Sequence, residues 1–125
     1  MTKPIRHLFK SAAHSLNGLR FAANHEFSFR CEILLTGIAG IMAVFLCRKL
    51  FDVVYLMTPI IMAMALELCN TAIEKIVDEF GEGQIKNTFK IIKDCASAAV
   101  FLMLLWGAIT WGLYFLEGAG FSSLK

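Results

Sequence analysis

Charge is scarce in this 125-residue chain: Asp, Glu, Lys and Arg together make up 18%, against about a quarter in an ordinary soluble domain, while hydrophobic residues reach 58%. A chain this short leaves much of its surface outside any core, so that apolar surplus cannot all be buried, and a water-soluble globule is excluded in favour of a lipid-solvated protein. Basic runs with interleaved aromatics are missing and the net charge is only +2, so nucleic acid is not an expected partner. The four cysteines, Cys31, Cys47, Cys69 and Cys95, stand singly with no CxxC, which excludes a thiolate zinc site and marks them as small apolar residues. There is no GxxxxGK[ST] loop, no GxGxxG following a strand and no HRD or DFG set, so neither soluble design for handling a nucleotide is available. Internal repeats and low-complexity tracts are absent too. The first apolar run begins only near Ile33, behind a charged segment of about thirty residues, so no cleaved leader is expected.

What is present is three apolar runs. Ala96 to Leu116, "ASAAVFLMLLWGAITWGLYFL", is uncharged throughout and, at about 1.5 Å per residue, just long enough to cross a bilayer core of about 30 Å. Ile33 to Cys47 and Val53 to Leu66 are shorter, and reach spanning length only by taking in polar residues: Glu32 at the start of one, Glu67 and Asn70 at the end of the other. Only "RKLFD" separates these two runs, so they form an antiparallel hairpin. The predicted fold is an all-α membrane protein forming one domain over 1–125. A surface helix covers about 5–25, and spans cover about 30–48, 52–72 and 95–116.

Orientation follows from Lys and Arg. Nine of them (Lys3, Arg6, Lys10, Arg20, Arg30, Lys75, Lys86, Lys90 and Lys93) precede the first span or lie between the second and third, against Arg48, Lys49 and Lys125 on the other side. The N-terminus is therefore expected in the cytoplasm and the C-terminus in the periplasm, with Trp106, Trp111 and Tyr114 toward the outer interface. Near the N-terminus Ile5, Leu8, Phe9, Ala12, Ala13, Leu16 and Leu19 recur at spacings of three and four between polar residues. That pattern suits a helix lying in the headgroup plane or, equally by pattern alone, one packed on a partner.

With this topology the awkward polar residues share one level. Glu67, Asn70, Thr71, Glu74 and Asp78 fall in one sector of a helix and form a polar stripe at the cytoplasmic end of the second span. Ionisable groups at the edge of a span cost about 2.5 kcal/mol or more each, so a stripe of them calls for water or a bound cation. Carboxylates without His or Cys are hard oxygen ligands suited to Mg²⁺. Glu26, just before the first span, could meet Glu74, and Lys93 could offset phosphate charge. These are parts for Mg-nucleotide chemistry, in which a protein mainly positions groups and offsets charge. A small non-enzymatic membrane subunit, its stripe packed on a partner, is the reading from another class. A pore would want polar groups spread through the membrane depth, and here they gather at one end.

"ELCNTAIEKIVDE", Glu67 to Glu79, followed by "KDCASAAV", Lys93 to Val100, closely resembles the E-x-x-N-[ST]-A-I-E-x-x-V-D and A-K-D-x-x-S/A-A-A-V signatures of the small bacterial integral-membrane lipid kinases, the prokaryotic diacylglycerol kinase and undecaprenol kinase family. "SLNGLRFAANHEFSFRCE" resembles that family's surface helix and its turn into the first span. Ile92 stands where the family usually has Ala, and the Gly81–Ile92 loop lacks the family's His. The resemblance implies a homotrimer that transfers the ATP γ-phosphate to a lipid hydroxyl at the cytoplasmic face of the inner membrane. It implies Glu67 as general base, Glu26 and Glu74 as Mg²⁺ ligands, and His14, Glu26, Glu74, Lys93 and Asp94 as ATP contacts. Asn70 and Asp78 would support them, and Arg20, Arg30, Glu32, Glu67 and Ser97 would line the lipid or phosphate path. "KDCASAAV" lies nearer the diacylglycerol kinases, so diacylglycerol is the expected lipid and undecaprenol the alternative.

Overall fold

A computed structural model describes residues 3–81 and 86–118, and these form four helices: α1 (Lys3–His25), α2 (Phe27–Leu46), α3 (Leu50–Phe80) and α4 (Lys86–Gly118). The fold is all-α, with an amphipathic N-terminal helix followed by three helices long and apolar enough to cross a membrane. Residues 82–85 of the expected Gly81–Ile92 loop and the last residues with Lys125 lie outside the described part, as does the side chain of Lys86; from Lys86 on, the segment expected as loop is instead the first turns of α4.

One residue separates α1 from α2. Glu26 leaves helical geometry at φ −106°, ψ 118°, which ends α1 and makes Glu26 the N-cap of α2. Its backbone stays engaged, donating from N to Ala22 O at 2.9 Å and accepting from Arg30 N at 3.3 Å. Its side chain makes no capping bond and is left for other uses. The hairpin is tight as well: α2 stops at Leu46, and only Cys47 to Lys49 intervene before α3.

The long α3 is the central element, packing against α1, α2 and α4, whereas the backbones of α2 and α4 stay apart among the described residues. The face of α2 turned to α3 is set by Phe29, Glu32, Ala39 and Ala43, all buried at helical spacing. Thr36 lies between them, donating its hydroxyl to Glu32 O at 2.7 Å and to Met64 Sδ at 3.0 Å. Small residues let the helices close on one another: Gly40 faces Met57, and Gly107 of α4 rests on Pro59 and Ile60 of α3.

Pro59 lies inside α3 and brings no N–H to the helical ladder. Around it α4 supplies polar contacts from its C-terminal part. Trp111 Nε1 donates to Leu56 O at 3.2 Å, and Tyr114 Oη donates to Leu46 O, the last carbonyl of α2, at 3.1 Å. Two of the aromatic residues expected at the outer interface thus also tie α4 to α3 and α2. Much of the remaining apolar surface faces outward, including Leu34, Val44, Phe45, Phe101 and Leu102. That surface is solvated by lipid chains at no hydrophobic cost.

Candidate active site

The groove left between α2 and α4 is floored by α3, and its polar end collects Ser28, Cys31, Glu32, Glu67 and Ser97 in a cavity of about 570 Å³. Glu32, Glu67 and Ser97, three residues expected to line a lipid path, are thus brought together from three different helices. Away from that end Leu35 and Leu104 carry the groove on to Ile38, Met42, Ile60, Gly107 and Trp111, an almost wholly apolar run toward the opposite side of the bilayer. One continuous trough therefore has two carboxylates at its mouth and hydrocarbon along its length. Both carboxylates are buried, each retaining only 7% of its exposure.

A turn further along α3, Asn70 Nδ2 donates to Glu74 Oε1 at 3.2 Å, a bond that follows from their spacing of four. Beyond it, where α3 and α4 part, a second cleft is lined by Val77, Asp78, Gly81, Phe89, Lys90, Lys93 and Asp94. There Lys93 Nζ donates to Asp78 Oδ1 at 2.6 Å, so the two expected nucleotide contacts Lys93 and Asp94 share a pocket with Asp78. His14, Arg20 and Arg30 are exposed, and no hydrogen bond or ion pair joins them to this cluster among the described residues.

Glu26 has a partner that the sequence reading did not include: its Oε1 lies 3.0 Å from Lys75 Nζ, without the alignment of a hydrogen bond. Lys75 had counted only toward the charge balance. Its place next to Glu74 was visible in the sequence, but its approach to Glu26 depends on how the α1–α2 corner folds against α3. Ser28 and Cys31 were missed as groove residues for a similar reason, since nothing in their local pattern separates them from ordinary helix surface.

Among the described residues three buried acceptors have no aligned hydrogen-bond donor: Glu26 Oε1, Glu32 Oε2 and Asn70 Oδ1. Unpaired buried oxygens are costly, and Glu32 Oε2 at the mouth of the groove is what a hydroxyl would satisfy, while Glu26 Oε1 has the Lys75 ammonium at 3.0 Å as its counter-ion. Among the described residues no three His, Cys, Asp or Glu side chains form a ready metal-ligand set. Mg²⁺ does not require one, since it is commonly held by one or two carboxylates with water and substrate phosphates completing its shell. Glu26 and Glu74 fit that pattern in chemistry.

An apolar trough that ends in buried carboxylates, next to a cleft with Lys and Asp, set among three helices long and apolar enough to cross a membrane, defines a helical membrane protein with a polar site at one end of its bundle. The family model for prokaryotic diacylglycerol kinase matches residues 13–115. A diacylglycerol kinase of Haemophilus influenzae is 34% identical over 89% of this chain and 93% of that protein. Relatives of the same name from Helicobacter pylori and Escherichia coli K12 are 32% and 33% identical, over 91% and 83% of this chain and 88% and 84% of their own lengths. The chain belongs to the prokaryotic diacylglycerol kinase family; it is a kinase, and a bacterial membrane protein.

Proposed function

We propose that this chain transfers the γ-phosphoryl group of ATP to the primary hydroxyl of diacylglycerol, giving phosphatidic acid, with Mg²⁺ as metal and at the cytoplasmic face of the bacterial inner membrane. The observation that carries this reading is the position of Glu67, buried where the apolar trough meets the polar end of the bundle. A diacylglycerol whose chains follow Leu35, Leu104 and Met42 has its free hydroxyl at the level of Glu32, Glu67 and Ser97.

Glu67 accepts the hydroxyl proton as the bond from that oxygen to the γ-phosphorus forms. The bond from phosphorus to the oxygen bridging the β- and γ-phosphates breaks, and ADP leaves with the electron pair. Ser97 and Glu32 orient the hydroxyl from opposite walls of the groove. Asn70 holds Glu74 in place through its amide. Lys93 turns from Asp78 to the phosphates, and its exposed, flexible stem lets it do so at little cost. Glu26 and Glu74 would hold Mg²⁺, which would supply positive charge against the triphosphate.

His14, Arg20 and Arg30 sit on exposed faces. In the homotrimer we propose, those faces abut neighbouring subunits or lipid headgroups, where the three cationic or polar side chains meet phosphate.

Purified protein in mixed micelles with labelled ATP and Mg²⁺ tests the reading, with diacylglycerol and undecaprenol as alternative acceptors. Label is expected in phosphatidic acid. Turnover of the polyprenol alone overturns the choice of lipid, and transfer to neither overturns the chemistry.

A further inference from the structure

Lys75 is placed to contest the metal site. Its ammonium lies 3.0 Å from Glu26 Oε1 and 5.9 Å from the centroid of the Phe21 ring, which itself stacks on His25 at 4.6 Å. Glu26 is the residue between α1 and α2, while Lys75 belongs to α3, so the pair fastens that corner to the central helix. Successive helix positions are about 100° apart, so Lys75 reaches Glu26 from the side of α3 that faces α1, while Glu74 looks along the polar stripe. The same side carries Leu68, Thr71 and Ala72, which with Lys75 line a groove against α1.

The two ends of the ion pair are unequal. Glu26 keeps 21% of its side-chain exposure and has no aligned hydrogen-bond donor at Oε1; Lys75 keeps 58%. The anion is the more confined partner at the α1–α2 corner, and the cation is the more exposed one, on a flexible stem that water can take back. Position 75 is also one of those that the family signature quoted above leaves open.

We infer that Lys75 is a resident counter-cation for Glu26, competing with the divalent metal for that carboxylate and so setting the metal concentration the protein needs. This rests on the assignment of Glu26 and Glu74 as metal ligands. In the metal-free protein Lys75 offsets the charge of Glu26 and holds the α1–α2 corner on α3. When a divalent ion takes the carboxylate, the ammonium is released to water. Lys75 acts through Glu26 and is a positioning residue, with no contact to the reacting atoms.

The test uses full-length protein in detergent micelles without nucleotide, titrated with Mn²⁺ while the free ion is followed by its electron paramagnetic resonance signal. Lys75→Met keeps the stem and removes the charge, and is expected to bind Mn²⁺ about two- to fivefold more tightly than wild type, the range that an exposed ion pair supplies. Lys75→Gln, a second neutral variant, is expected to agree, and Lys75→Arg to stay near wild type. In a Glu26→Gln background the Lys75→Met effect is expected to vanish. Unchanged or weaker Mn²⁺ binding by both neutral variants, with Glu26→Gln still weakening it, overturns the inference and leaves the metal site standing. If Glu26→Gln and Glu74→Gln both leave Mn²⁺ binding unchanged, the metal-site assignment fails and the inference with it.

Discussion

Glu67 retains 7% exposure between α2 and α4, and its neighbours in the groove include a second carboxylate, Glu32, one oxygen of which has no donor. Exchange for Gln keeps the size and packing of the side chain while removing its capacity to take a proton. Glu67→Gln is therefore expected to lower kcat by about 10²- to 10⁴-fold, the usual share of a general base, with KM for ATP nearly unchanged and helical content and melting intact. A variant that keeps more than a tenth of wild-type kcat would remove Glu67 from the proton-accepting role. Lys93 works through charge and sits in the other cleft, so Lys93→Met is expected to raise KM for ATP by about tenfold while KM for the lipid stays put, a split that steady-state kinetics reads directly. The stripe from Glu67 to Asp78 was legible in the sequence because its members share one helix and therefore one periodicity. The Glu26–Lys75 pair was not, since it joins a cap residue to a helix about fifty positions away and no local pattern encodes that meeting.

Among the elements, α3 exceeds what a membrane requires. Its 31 residues extend about 46 Å, well beyond the about 30 Å of a hydrocarbon core, a surplus long enough for Glu74 and Asp78 near its C-terminal end to stand outside such a core. The existence of three apolar helices and one amphipathic helix followed from run length and spacing. How far α3 and α4 continue past their apolar stretches did not, because "IEKIVDEF" and "KNTFKIIKD" are polar helix, and only packing against each other and α1 decides that they stay wound. The joint between these two helices depends on Gly107. A Cβ there would lie 3.8 Å from Pro59 and Ile60, ordinary contact with nothing to spare for a larger group. Gly107→Ala is expected to be neutral or to stabilise by up to about 1 kcal/mol, since it relieves the entropic cost of glycine inside a helix. Gly107→Leu is expected to destabilise by about 1–3 kcal/mol and to loosen the Trp111 bond to Leu56 O, both readable from thermal melting in micelles with Trp fluorescence.

For the whole molecule, the decisive relation is that the start of α2, the end of α3 and the start of α4 meet at one end of the bundle, while the α2–α3 hairpin and the end of α4 meet at the other. Packing alone leaves open which end faces the cytoplasm. From the distribution of Lys and Arg we propose that the end formed by the start of α2, the end of α3 and the start of α4 faces the cytoplasm, because basic segments are retained on the side of synthesis. Single cysteines in a background with the four native cysteines replaced by Ala, probed in spheroplasts with a membrane-impermeant maleimide, separate the two ends. Positions 24, 49, 79 and 90 are all exposed and suit the purpose. Lys49→Cys, in the hairpin, is expected to react in intact spheroplasts. Asn24→Cys, Glu79→Cys and Lys90→Cys are expected to react only after the membrane is permeabilised. Reversal of all four would invert the orientation and leave the site whole. Should Asn24→Cys and Glu79→Cys react from opposite faces, Glu26 and Glu74 could not lie on the same side of the membrane, no single ion could join them, and phosphoryl transfer at this site would have no physical basis.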